Sequence, residues 1–309
     1  MRLAKAMDQF LEGYFATCQR SEKTIQAYTI DLEQFETFLG SSKRVEKVEP
    51  EDLEAWAAEL KQAEYASASI RRKFATLKVF FNYMVRKRLL DRSPLWQIRL
   101  DLAPERRLPK VLTFEEVQKI LGQARKELGP IPKRISKKVD KKFLALRNLA
   151  MVELLFATGI RVGEMTKLEL EDLNIEERLI MIRGKGARQR LAFLPDDRSH
   201  EAVDAYATHR QAILTPHGKL FLNSQKRPLS TQGVANVLSR LARDADLDRK
   251  VTPHMFRHTI ATLLLEGGAD IRVVQEFLGH STISTTQIYT HVAKRQFMTS
   301  VSRCHPSCS

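Results

Sequence analysis

Six side chains of this sequence could together handle a phosphodiester: Arg161, Lys185, His254, Arg257, His280 and Tyr289. Arginine stays charged and presents a planar fork, so Arg161 and Arg257 can hold the two non-bridging oxygens of one phosphate. The imidazoles of His254 and His280 can add hydrogen bonds to the same oxygens as charge builds in the transition state, where losing one such donor costs about 3 kcal/mol. Tyr289 is then the nucleophile, its phenol attacking phosphorus to leave a covalent phosphotyrosine and a departing sugar hydroxyl. A phenol of pKa about 10 needs a cationic pocket and a proton acceptor to do this. Lys185, in a Gly-Lys-Gly turn, is suited to returning a proton to the leaving alkoxide. Taken singly each residue has an ordinary explanation: a surface ion pair for the arginine, a soluble turn for the lysine, core packing for the tyrosine. A metal reading of His254 and His258, four apart on one helix, lacks the glutamate of H-E-x-x-H and sets Arg257 beside the ion. No metal and no cofactor is therefore assigned, and His258 and His291 are left to packing.

These residues need elements to position them. Thr252 and Pro253 suit the cap and first turn of a helix, which puts His254 and Arg257 on one face near its positive end, where an anion is favoured. Gly279 ends the next helix just before His280, and Ser284 with Gln287 forms a capping box for a short helix carrying Tyr289. "LALRNLAMVELLFATG" is an apolar helix that stops at Gly159, with Arg161 just beyond. Residues 179–183 and 190–194 are two β-rich runs around the turn that holds Lys185, the clearest hairpin of the chain. Helical periodicity returns in "TQGVANVLSRLARDA", "TPHMFRHTIATLLLEGG" and "DIRVVQEFLGH". There is no internal repeat and no strand and helix alternation of the kind that builds a parallel sheet.

The first third reads as helical from Phe10 to about Leu90. One helix starts at Ser21, buries Ile25, Tyr28, Leu32, Phe35 and Leu39, and stops at Gly40; a second follows Pro50; a third, from about Ser69, buries Ile70, Phe74, Leu77, Phe81 and Met84. Arg71, Arg72, Lys78, Arg86, Lys87 and Arg88 decorate its outer face and read as solvated cations. A proline-rich, aperiodic stretch follows, and Thr113 with Glu116 then opens a new domain through a T-x-x-E capping box. The expected organisation is a helical domain over residues 1–100, a linker over 101–112 and a second domain over 113–309. A basic segment near 126–142 reads equally as a loop touching DNA or as a solvated insertion.

The 309 residues suffice for two cores, and Lys plus Arg exceed Asp plus Glu by 14, a field that favours polyanionic partners, nucleic acid first. "MRLAKAMDQFLEGYF" lacks a secretory core and no run of about 18 apolar residues could span a bilayer, so a cytoplasmic protein is expected. Three cysteines are too few for a disulfide framework, and Cys304 and Cys308 with His305 read as a frayed tail with reduced thiols.

The ordered set Arg161, Lys185, His254-Met255-Phe256-Arg257, His280 and Tyr289, within "ATGIRVGE" and "LGHSTISTTQIYTHV", resembles the tyrosine recombinases of the phage-integrase family, most of all the bacterial Xer type. The resemblance runs from about residue 8 to 306. It implies a mainly α fold with a small antiparallel sheet in the C-terminal domain, a helical core-binding domain and a catalytic domain closing on DNA as a clamp. It implies a site-specific recombinase in which Tyr289 makes a 3′-phosphotyrosyl bond, strands are exchanged through a Holliday junction, and neither ATP nor metal is required. Partners would be double-stranded DNA with a recombination site and three further protomers, copies of this chain or a second Xer-type recombinase, joined through the C-terminal tail. The task would be chromosome dimer resolution or mobile-element integration. Competing readings are relaxation of supercoils in the manner of a type IB topoisomerase, and a DNA-binding architectural protein whose pocket has decayed.

Overall fold

The computed structural model describes residues 1–18, 22–98, 100, 111–132, 137–184, 189–279, 301 and 303–306. They fall in two compact units, Met1–Arg107 and Leu108–Ser309. Among the described residues the first contains four α-helices, α1 (Leu3–Thr17), α2 (Glu22–Leu39), α3 (Pro50–Gln62) and α4 (Ser67–Arg86). All five residues expected to form the stripe of α4 are buried. Their core is strongly aromatic: Phe10 stacks on Tyr14 with ring centres 5.0 Å apart and Phe35 packs on Trp56 at 4.9 Å. Large flat rings fill the space between short helices with few rotamers to order. Gly40, at φ 85°, ends α2 where the sequence places its stop.

The cations of α4 are not all solvated. Asp31 of α2 is fully buried. It accepts hydrogen bonds from Thr76 Oγ1 at 2.9 Å, from Lys73 Nζ at 3.2 Å and from Arg72. Lys73 is 2% exposed and also donates to Gln34. Arg72 lies on the exposed face as expected, but it reaches in to pair with Asp31 rather than being solvated alone. A carboxylate in the α2–α4 seam demands a cation, and a residue one turn position away can supply it.

The second unit is organised on α6 (Lys141–Thr158), every residue of which from 145 to 158 is buried. A helix buried all round belongs at the centre of a core, and its buried charged members are paired there, Arg147 donating to Leu222 O at 2.8 Å and Glu153 accepting from Arg125. Around it pack α5 (Phe114–Leu128), α8 (Asp197–Gln211) and α10 (Pro253–Glu266), with α9 (Thr231–Asp244) against α5 and α11 (Ile271–Leu278) against α10. The capping box at Thr113 and Glu116 is formed, with Thr113 N donating to Glu116 at 2.8 Å. Strands β1 (Leu173–Asn174), β2 (Leu179–Arg183) and β3 (Gln189–Phe193) make one antiparallel sheet in that order, with Ile182 opposite Arg190 and Arg183 opposite Gln189.

Strand β1 and helix α8 are among the elements that were not visible in the sequence. Strand β1 is too short to show a period. Helix α8 has a thin apolar stripe, because its buried face includes His209 and Arg210. The Arg210 guanidinium donates to the carbonyls of Lys219 and Ile213, each at 2.9 Å, so tertiary partners make a polar position buriable.

The tail reading is also corrected for the described residues. Val301 and His305 are fully buried. The His305 ring lies 5.6 Å from Phe156 of α6 and 6.5 Å from Phe277 of α11. Residues expected to meet a neighbouring protomer are packed here on their own chain, and burial pushes the His305 pKa down to about 4. Cys308, the cap at Ser21 and most of the linker lie outside the described residues, as does part of the basic insertion. Among the described residues no helix is long and apolar enough to cross a membrane.

Candidate active site

Two helix ends and one helix start converge in the second unit. Gly159 caps α6 in the left-handed region at φ 57° and ψ 22°. A Cβ there would stand 2.6 Å from Leu278 Cδ2 and 2.9 Å from Ile260 Cγ2, so both the turn and the packing require glycine. Gly279 caps α11 at φ 66° and ψ 51°. The last carbonyls of these two helices carry partial negative charge and have no partner within their own helix.

Arg257, on α10, supplies both. Its Nη1 donates to Gly159 O and its Nη2 to Leu278 O, each at 2.7 Å. The side chain is 7% exposed. Thr252 is in the cap conformation with Pro253 following it, as expected, although the threonine side chain makes no cap hydrogen bond. His254 begins the same helix and is exposed, as is His258.

Arg161 precedes α7 (Val162–Met165), a single turn. Its Nη1 donates to Glu164 Oε1 at 2.9 Å and its Nη2 to Gly279 O at 3.3 Å. The two arginines therefore meet on consecutive carbonyls, Leu278 and Gly279, at the point where the chain enters His280. The other carboxylate oxygen, Glu164 Oε2, accepts from Arg190 Nη2 on β3 at 2.8 Å.

Two guanidinium groups, those of Arg161 and Arg190, thus share the Glu164 carboxylate, while the third, Arg257, is held by backbone carbonyls. Burial lowers the pKa of Arg257 to about 10, and the charges of Arg161 and Arg190 add to that, with Glu164 opposing. Arg257 stays protonated at neutral pH, but in a place where another anion would be welcome. Burial likewise lowers the Arg190 pKa, against the pull of Glu164.

Of the six residues expected from sequence, the structure brings Arg161 and Arg257 together and places His254 on the helix of Arg257. Lys185, His280 and Tyr289 lie outside the described residues, with the capping box at Ser284 and Gln287. The flanks of two are defined: Arg183 pairs with Gln189 across residues 184–188, and Gly279 leads into residue 280. Glu164 and Arg190 were missed. Their signals were an R-x-x-E spacing at the start of a helical turn, and a cation paired with an inward position of the hairpin. Among the described residues no three His, Cys, Asp or Glu side chains are grouped as a metal site.

A helical first unit, a second unit built on a buried helix with a small antiparallel sheet, and Arg161, Arg190 and Arg257 gathered at the ends of α6 and α11 make a site suited to an anion such as a phosphate. The chain belongs to the phage integrase family, whose pattern matches residues 110–296, while residues 7–88 match the N-terminal SAM-like domain of phage integrases. It is 36% identical to a tyrosine recombinase of Agathobacter rectalis over 93% of this chain and 92% of that one. Identity is again 36% with tyrosine recombinase XerD of Halalkalibacterium halodurans, over 97% of each chain. With tyrosine recombinase XerC of Listeria innocua it is 33%, over 96% of each. The fold is similar to that of a lambda integrase dimer bound to a COC′ core site, with TM-score 0.68 and 20% identity, covering 93% of this chain and 99% of that one. It is similar also to the XerH site-specific recombinase in a post-cleavage complex with palindromic difH substrate, with TM-score 0.68 and 23% identity, over 96% and 83%. The expected fold, mainly α with a small antiparallel sheet in the second unit, is the one observed. The chain is an enzyme of DNA cleavage and rejoining.

Proposed function

We propose that this chain is a site-specific DNA recombinase of the Xer type, with Arg161, Arg257, His254 and His280 binding the scissile phosphate, Tyr289 as nucleophile and Lys185 as proton donor. One observation carries the assignment most directly: Arg161 and Arg257 donate to the adjacent carbonyls of Gly279 and Leu278, so both cations stand where the segment bearing His280 and Tyr289 begins. The Tyr289 phenol loses its proton to a base and its oxygen attacks phosphorus; the bond from phosphorus to the 5′ oxygen breaks. The products are a 3′-phosphotyrosyl ester and a 5′ alkoxide, which takes a proton from Lys185. Attack by a 5′-hydroxyl of the partner strand reverses these steps and releases Tyr289. One phosphate ester replaces another of similar energy, so the exchange is close to balanced.

In this reading four protomers, copies of this chain or of it and a second Xer-type recombinase, hold two duplexes, for chromosome dimer resolution or for integration of a mobile element. Mapping the DNA that stays covalently bound to the protein in its cells yields the site. A nicked duplex of that sequence is then incubated with protein and run on a denaturing gel. Wild type should become linked to the 3′ end while Tyr289→Phe binds and does not. Absence of any wild-type adduct on bound DNA refutes the proposal, and relaxation of supercoiled DNA without a second site refutes the recombinase form of it.

A further inference from the structure

We infer that Arg190 is a positioning residue of this reaction, dividing the Glu164 carboxylate with Arg161 and seating the Gly279 peptide that leads to His280. The inference rests on the recombinase reading above and concerns a residue outside its six. Arg190 lies on β3, five positions after Lys185 and opposite Ile182 of β2, so the strand that closes the Lys185 turn also sends a cation into the arginine cluster.

An exposed ion pair would carry little meaning, since such pairs are weak and easily screened. This one is different in burial and in connection. The side chains of Arg190 and Glu164 are 16% and 14% exposed. The bond from Arg190 Nη2 goes to Oε2 at 2.8 Å, an oxygen that also accepts from the Arg161 backbone N–H at 3.1 Å, and Oε1 is left to the Arg161 guanidinium at 2.9 Å. Were Arg190 neutral, Glu164 would pair with Arg161 alone and hold it more tightly, in competition with a phosphate. With Arg190 present the carboxylate orients Arg161 and only half neutralises it.

A second contact points the same way. Gly279 has no Cβ, and one built there would fall inside the Arg190 side chain, against its Nε and Cδ. Arg190 therefore packs directly against the peptide whose carbonyl receives Arg161. Its Nη1 is buried with no hydrogen-bond partner among the described residues, so charge pairing and packing, not saturation of its donors, hold the group.

The test uses the full chain in excess over a nicked duplex carrying the mapped site, so that the cleavage rate is read apart from affinity. Arg190→Met should slow cleavage by roughly tenfold or more, because small misplacements of a phosphate ligand are costly in rate, with the DNA dissociation constant changed less than about threefold. Arg190→Lys, which keeps the charge, should recover part of the rate. Glu164→Gln should be slow as well, and the double variant Arg190→Met with Glu164→Gln should be no slower than the slower single one, since the two act through one carboxylate. Cleavage by Arg190→Met within about threefold of wild type overturns the inference. So does a double variant as slow as the product of the two single losses, or a loss of affinity as large as the loss of rate. Circular dichroism checks folding, and if Arg190→Met fails to fold, the neutral Arg190→Gln is judged by the same rate and affinity criteria. A wild-type chain that forms no adduct on this duplex sinks the recombinase reading instead.

Discussion

Substituting alanine for Gly159 should both destabilise the second unit and loosen the arginine site. At φ 57° the backbone is left-handed, which costs a residue with a Cβ about 1–2 kcal/mol. The new Cβ would also meet Leu278 Cδ2 at 2.6 Å and Ile260 Cγ2 at 2.9 Å. Both lie in well-packed core, where overpacking costs about 1–3 kcal/mol. The stiffer unfolded chain returns about 0.4–1 kcal/mol. The balance is about 3 kcal/mol of lost stability, or a urea midpoint lowered by about 1 M or more. Both tryptophans, Trp56 and Trp96, fall in the first unit, so fluorescence reports that unit while far-ultraviolet circular dichroism reports both. The loss should appear in the dichroism transition. Displacing the Gly159 carbonyl also removes one of the two anchors of Arg257, so DNA cleavage should fall with it. A variant less than about 1 kcal/mol below wild type would show that the turn relaxes freely and that the reasoning about this junction is wrong.

Three further outcomes follow from the same geometry. Arg257→Lys should lower the single-turnover cleavage rate at least about a hundredfold, since one ammonium cannot span the carbonyls of Gly159 and Leu278 and present a planar fork to phosphate; rapid-quench cleavage of the nicked duplex measures it. Asp31→Asn should destabilise the first unit by about 3–5 kcal/mol, because it strands the buried Lys73; the tryptophan transition in urea is the readout. His305 has a folded pKa of about 4 against 6.5 unfolded, with burial the main cause and Asp196 opposing it. Its contribution is therefore complete above pH 6.5 and is lost as pH falls toward 4, by about 3 kcal/mol. Limited proteolysis should release the C-terminal residues faster at pH 5 than at pH 7, and His305→Gln should remove most of that difference.

The sequence by itself determined whatever depends on neighbours along the chain. The stripe Ile70, Phe74, Leu77, Phe81 and Met84 is a matter of helical period, the box at Thr113 and Glu116 of two side chains reaching adjacent amides, and the stop at Gly159 of the one residue that turns left without strain. The candidate site was legible as residue types in order, because arginine, lysine, histidine and tyrosine have few joint uses other than at a phosphate. Only the tertiary structure decided where their charges go. That Arg257 ties together the ends of α6 and α11, that Glu164 is divided between Arg161 and Arg190, that Lys73 is buried on Asp31 and that α8 buries Arg210 are all contacts between distant segments. A polar side chain looks alike in sequence whether solvent or a remote carbonyl satisfies it. Folding settles the choice, because desolvation makes the unpaired alternative too costly to persist.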